Sequence, residues 1–333
     1  MSRLAKILYS FGVTLFLISF SLTCYYTFKI FHFDHPTSQN TTEKPRYHFV
    51  LVPEELDNDY WRLVENGAKD AAKHHNVLLE YIGPTQANTE EHIKTLEMSA
   101  AAKVDGIMTQ GLNEEQTTPL INRIVDKGIP VITVDTDAIN SNRMSYIGTD
   151  NYYSGFIAGK ALIEDTGGNA NVAIITGRFD ASHQQLRVQG FQDAVKDVEG
   201  IHIVTIEESN ITRVKAAEAA NKVLQEYPEV NAFYGTSALD GIGIAQVVEY
   251  YNRQDEMYIL AFDTIVDTIH YMEKGTIEAT VVQEPYEMGY SAVKMMIDLI
   301  EGKHVPQTVH TETRIIRKKD LPLDSRDILG VSP

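Results

Sequence analysis

The chain has 333 residues, 43% hydrophobic and 23% charged, an ordinary globular composition that excludes extended disorder and is long enough for two lobes. Its 29 basic and 46 acidic side chains give a net charge of −17, which excludes a general phosphate-binding surface for nucleic acid. The single cysteine, Cys24, excludes an intramolecular disulfide and a multi-cysteine metal site.

Residues 1–6 carry Arg3 and Lys6 and are expected in the cytoplasm. Residues 7–28 follow with no formal charge, long enough to cross a bilayer as a helix. The stretch ends Cys24-Tyr25-Tyr26-Thr27-Phe28, with no small-residue cleavage site and with tyrosines suited to a membrane–water interface. It therefore reads as an uncleaved transmembrane anchor, with the rest of the chain on the extracytoplasmic face. The alternative is a lipidated Cys24 after signal cleavage, but Ser21-Leu22-Thr23-Cys24 puts the leucine one place late and threonine at the small position. Residues 29–45 are polar and form a linker. The first 45 residues hold four basic and two acidic side chains; the remainder holds 25 and 44, a net −19, and no cysteine. An exported bacterial domain can have that composition, whereas a disulfide-stapled ectodomain cannot.

From Tyr47 short apolar runs alternate with helix-length amphipathic stretches. Tyr47 to Val52, Val77 to Ile82, Asp105 to Thr109 and Pro130 to Val134 read as strands separated by helices. The pattern resumes at Val172 to Ile175, Ile201 to Ile206, Ala232 to Tyr234, Tyr258 to Phe262 and Ala279 to Val282. Such alternation predicts an α/β fold with parallel sheets covered on both faces. Two runs meeting near Ser145 to Asn151 predict two doubly wound lobes. In these sheets ligands bind beyond the carboxyl ends of strands. Those ends hold Asn58, Tyr60 and Trp61, then Gln110, Asp135 and Thr136, then Thr236 and Ser237, Asp263, and Gln283. Carboxylates, amides and hydroxyls serve a ligand dense in hydroxyl groups, and aromatic rings offer an apolar face. Each residue also has a structural role open to it, strand-end aspartates as helix caps and Trp61 as core.

Gly155 to Ala161 is a poor match to a phosphate loop: its glycines are one residue too close and Ala161 stands where Ser or Thr would hold the metal. It reads instead as a small-residue helix face packed on its sheet. His74-His75 lacks metal-ligand spacing and there is no Gly-x-Ser-x-Gly elbow, so neither catalysis, a metal nor a cofactor is expected.

Across Tyr47 to about Lys318 the chain resembles the ribose-type periplasmic sugar-binding proteins. The resemblance rests on Pro130 to Asp135, Tyr146 to Asn151, Arg187-Val188-Gln189-Gly190-Phe191, Ala261-Phe262-Asp263 and Ala279 to Gln283. It implies three hinge crossings, near Thr149/Asp150, Gln283/Glu284 and Glu312/Thr313. The N-terminal lobe is then 46–149 plus 284–312, and the C-terminal lobe and tail are 150–283 plus 313–333. It also implies sugar contacts at Asn58, Tyr60, Trp61, Asp135, Arg187, Asp263 and Gln283. Three positions depart from the family: Gln110 and Ser237 where asparagine is usual, and Thr136 where arginine is usual. Losing that guanidinium removes a bidentate donor, so ribose is not assumed as ligand. A helix-turn-helix, which the related sugar repressors need, is replaced by the apolar segment. The implied function is closure on a small carbohydrate, reported to a membrane sensor such as a histidine kinase, as membrane-anchored ribose-type proteins of Gram-positive bacteria do. The alternative partner is the permease of a sugar ABC importer.

Overall fold

The computed structural model describes residues 13–23 and 44–323. Residues 13–23 are helical and exposed, and among the described residues no helix is long and apolar enough to cross a membrane. The rest of the expected 7–28 span, Cys24 included, lies outside the described residues. Residues 45–323 belong to a compact unit of their own.

That unit contains two six-stranded sheets. The first has the order β11-β5-β4-β3-β1-β2, all parallel, from β1 (Tyr47–Val52), β2 (Val77–Tyr81), β3 (Gly106–Thr109), β4 (Val131–Val134), β5 (Ser145–Gly148) and β11 (Thr308–His310). The second has the order β12-β10-β9-β8-β6-β7, from β6 (Ala170–Thr176), β7 (Ile201–Glu208), β8 (Ala232–Gly235), β9 (Tyr258–Phe262), β10 (Ala279–Val282) and β12 (Arg314–Arg317). Only β12 runs antiparallel to its neighbour. The central strands β3, β4, β8 and β10 are buried at every position, as strands covered on both faces must be. Three edge or near-edge strands go beyond the sequence reading: β5, β11 and β12.

Helices cover both faces of each sheet. The first sheet carries α1 (Asp59–His74), α2 (Thr89–Ala101), α3 (Glu114–Asp126) and, from far along the chain, α9 (Pro285–Ile300). The second carries α4 (Asn151–Thr166), α5 (Ser182–Val195), α6 (Arg213–Glu226), α7 (Ala238–Tyr250) and α8 (Val266–Lys274). Asparagine or aspartate side chains cap α1, α2, α3 and α4 from Asn58, Asn88, Asn113 and Asp150. The chain passes between sheets three times: after β5, after β10, and in the three residues between β11 and β12.

Two helix pairs are held backbone to backbone. A Cβ on Gly67 of α1 would lie 1.9 Å from the Tyr286 carbonyl oxygen of α9, and one on Gly155 of α4 would lie 1.9 Å from the Arg187 carbonyl oxygen of α5. Within that segment Gly155 and Gly159 pack on the neighbouring helix, against Arg187, Phe191 and Ala194, while Ala158 packs in the core with the sheet residues Val172, Ile174 and Leu260. Along α2, Leu96 and Ala100 are buried while Met98 is 61% exposed.

Candidate functional site

The carboxyl ends of β1, β3 and β4 face those of β6, β8, β9 and β10 across a narrow cleft. Its cavity measures about 50 Å³ as space open to the centre of a water molecule. Adding a water radius around a compact space of that size gives roughly 200 Å³, room for one small ring compound with several substituents. Asn58, Tyr60, Trp61, Gln110, Asp135, Arg187, Ser237, Asp263 and Gln283 all line it. Thr136 does not; it stands behind the wall, where its hydroxyl joins Gln110, Asp135 and His183.

The first wall is organised around Asp135. Its backbone φ of +65° lies in the left-handed region, which aspartate tolerates better than most residues, and its amide donates to the Ile147 carbonyl at 2.9 Å. The Tyr60 hydroxyl donates to Oδ1 at 2.5 Å, while Gln110 Nε2 (2.9 Å) and the Thr136 hydroxyl (3.1 Å) donate to Oδ2. A carboxylate has about four acceptor sites, so it retains capacity for a further donor. Because a carboxylate only accepts, Gln110 must turn its NH₂ toward Asp135. Its Oε1 is consequently buried without a partner. Burial and the Asp135 charge push the Tyr60 hydroxyl well above the usual tyrosine range, so it stays a donor. Trp61 meets Tyr60 edge-on, ring centroids 5.7 Å apart, and serves the core as well as the cavity. Asn58 is both lining and cap: its Oδ1 accepts from the Tyr60 amide at 2.9 Å.

The second wall is organised around Arg187. Gly155 lets α4 close on α5, which brings Asn151 Oδ1 to 2.8 Å from Arg187 Nε. Nη1 donates to the Thr236 carbonyl (2.8 Å) and Nη2 to Gln283 Oε1 (3.0 Å), while the guanidinium lies 4.0 Å from the Phe262 ring centroid. Three of five N–H groups are thus committed, leaving two for a ligand. Gln283 Nε2 donates to Asp263 Oδ1 at 2.7 Å, and its Oε1 also accepts from Thr149 at the first crossing, 2.6 Å away. Gln283 therefore ties the cleft to two crossings. Asp263 has φ +66°, matching Asp135, and burial pushes its carboxyl up to about 7.

The sequence reading missed Glu54, His183, Gln184, Ile211 and Ala238, which also line the cavity. His183 and Gln184 lie on α5 four and three residues before Arg187, so helical spacing alone would have placed them on its face. Burial, with Arg187 nearby, pulls His183 down to about 3; the neutral ring meets the Thr136 hydroxyl at 3.1 Å, a bond between the lobes. Glu54 and Arg178 face each other across the same gap, 3.1 Å apart, and burial pushes the Glu54 carboxyl up to about 7.

Two parallel-sheet lobes, three crossings and a polar cleft at the strand ends define the two-lobed binding-protein class. Residues 49–304 match the periplasmic binding protein domain, and the chain belongs to that family. It is similar to its ribose- and allose-binding members: it is 25% identical over 278 residues to the D-allose-binding periplasmic protein of Escherichia coli, covering 80% of this chain and 89% of that one. Among solved structures, GanP, a glucose-galactose binding protein from Geobacillus stearothermophilus, is 66% identical with a TM-score of 0.82, covering 83% of this chain and 99% of GanP. XylFII in its complex with LytSN is 38% identical, with a TM-score of 0.79 over 83% of this chain and 99% of the other.

Proposed function

We propose that the chain is an extracytoplasmic binding protein for a monosaccharide of the glucose/galactose kind, and that it has no catalytic activity. The carrying observation is the buried, unpartnered Gln110 Oε1 beside the Asp135 carboxylate and the spare N–H groups of Arg187, in a cavity the size of one sugar ring. Acceptors on one wall and donors on the other suit hydroxyls, which do both. The name of GanP supports the hexose class. A sugar touching both walls binds the closed form better and shifts the population toward it.

Closure then presents the protein to a membrane partner. Delivery to the permease of an ABC importer is favoured by the relatives named as import binding proteins, such as the ribose import binding protein of Bacillus subtilis. The second reading, a report to a sensor kinase, is favoured by the XylFII–LytSN complex. In both, residues 7–28 hold the domain at the outer face of a Gram-positive cell membrane as a single-pass anchor.

Residues 45–333 should melt about 5 °C higher with galactose or glucose at a hundredfold excess over Kd. A flat response to hexoses and pentoses alike overturns the sugar reading. Deleting the gene separates the outputs: lost uptake of labelled sugar supports the importer, and intact uptake with lost sugar-dependent transcription supports the sensor.

A further inference from the structure

The loop between β7 and α6 holds two successive left-handed residues, Asn210 at φ +51° and Ile211 at φ +53°. Asparagine adopts that backbone readily, but a β-branched residue there is strained. The loop is pinned in this form by Ser209, which is fully buried. Its Oγ accepts from the Ile211 amide at 3.1 Å, and its carbonyl accepts from the Thr212 amide and hydroxyl, both at 3.2 Å. Gly177, at the end of β6, makes the seat: a Cβ there would lie 2.6 Å from Ile211 Cγ1.

What the strained position gains is a branched apolar side chain at a boundary. Ile211 and Asn58 border both the 50 Å³ cavity and an outer groove of about 530 Å³ by the same measure. The outer groove has charged side chains, Glu55, Asp57, Asp59 and Arg213, among its lining. Those side chains could hydrogen-bond a second sugar ring, yet the inner space admits one ring. Asn58 is committed by its cap to α1 and by its amide to Glu55 at 2.7 Å, so it cannot swing aside without uncapping that helix. Ile211 is the other bordering residue, and its side chain bonds to nothing.

We propose that Ile211 is the size-determining residue of the cleft, closing the inner cavity against the outer groove so that monosaccharides are accepted and disaccharides carrying the same terminal sugar are refused. The inference rests on the sugar reading above and adds to it where the site ends. Removing the side chain joins the two spaces, and the acidic outer groove becomes a second subsite.

The test uses residues 45–333 as wild type, Ile211→Gly and Ile211→Val, with binding measured calorimetrically for galactose, glucose, lactose and maltose. Wild type and Ile211→Val should bind a monosaccharide and show no heat with disaccharides at millimolar concentration. Ile211→Gly, which also relieves the backbone strain, should lose several-fold in monosaccharide affinity and gain at least about tenfold toward a disaccharide. Disaccharide binding by wild type overturns the barrier. So does an Ile211→Gly protein that binds the monosaccharide and still refuses disaccharides; the sugar reading survives either result. If wild type binds no monosaccharide, both fall.

Discussion

The two walls of the cleft begin alike and end in different chemistry. β4 and β9 are each followed by an aspartate of nearly equal positive φ and then a threonine, Asp135-Thr136 and Asp263-Thr264, and each aspartate amide donates to the carbonyl of an adjacent strand. On the first wall the aspartate is surrounded by neutral donors from Tyr60, Gln110 and Thr136. On the second wall the central group is Arg187, whose bonds run to the Thr236 carbonyl and to Asn151 and Gln283, the last two beside the first and second crossings. The first wall is thus built to present acceptors from within one lobe. The second wall joins ligand contact to the hinge, so loss of its central residue is felt in the fold as well as in the site.

Replacing the two central residues should expose this difference most strongly. Arg187→Lys keeps the charge but offers one nitrogen in place of three in a planar fork and so cannot reach all three acceptors, and it should abolish the sugar-induced thermal shift and cost about 3 kcal/mol of stability by denaturant unfolding. Asp135→Asn should lose about 10- to 100-fold in affinity with a smaller stability loss. Equal stability losses from both would break the comparison.

The matched glycines give a finer version. Gly67→Ala and Gly155→Ala each force a helix pair apart and should cost about 1–3 kcal/mol. Only Gly155→Ala moves the backbone of Arg187, so only it should weaken sugar binding in calorimetry beyond what the stability loss explains.

The smallest effect is in pH. Asp263 rises from an ordinary 3.8 to about 7 on burial, so the native state holds a proton the unfolded chain has released. Its contribution to stability is complete below about pH 4 and is lost as pH rises through 7. His183, lowered to about 3, acts oppositely: the unfolded chain takes up a proton the native state refuses, and stability falls as pH drops below 6.5. Relative to wild type, Asp263→Asn should therefore gain melting temperature from pH 5 to 8, and His183→Gln should gain it from pH 6.5 to 5. Parallel melting curves for all three proteins would remove the assigned protonation states.

The layered fold was legible because buried parallel strands are continuous apolar runs and their helices carry a 3.6-residue period. β11, with Thr308 and His310 exposed, and β12, with arginine at both ends, lack that run and join their sheets only at the edges. Gln110 and Asp135 of the first wall were readable because they directly follow strands, and Asn58, Tyr60 and Trp61 because they open the helix after β1, where the architecture places ligands. His183 and Gln184 reach the cavity from a helix, and Ile211 from a loop whose left-handed backbone no residue-type preference would have suggested. Thr136 shows the converse: it follows a strand end and turns behind the wall. The repeated Asp-Thr after β4 and β9 was a signal in plain view for the matched geometry.

The return of α9 and β11 to the first sheet has a consequence for how the chain matures on the ribosome. By residue 282 the second sheet has all five of its parallel strands, whereas the first still lacks the helix that covers Val64, Ala68 and Ala71 and supplies the Tyr286 carbonyl against Gly67. Domains ordinarily fold in order of synthesis. Here the lobe that is made first must wait with an apolar helix face uncovered, and it is completed only after the later lobe has emerged.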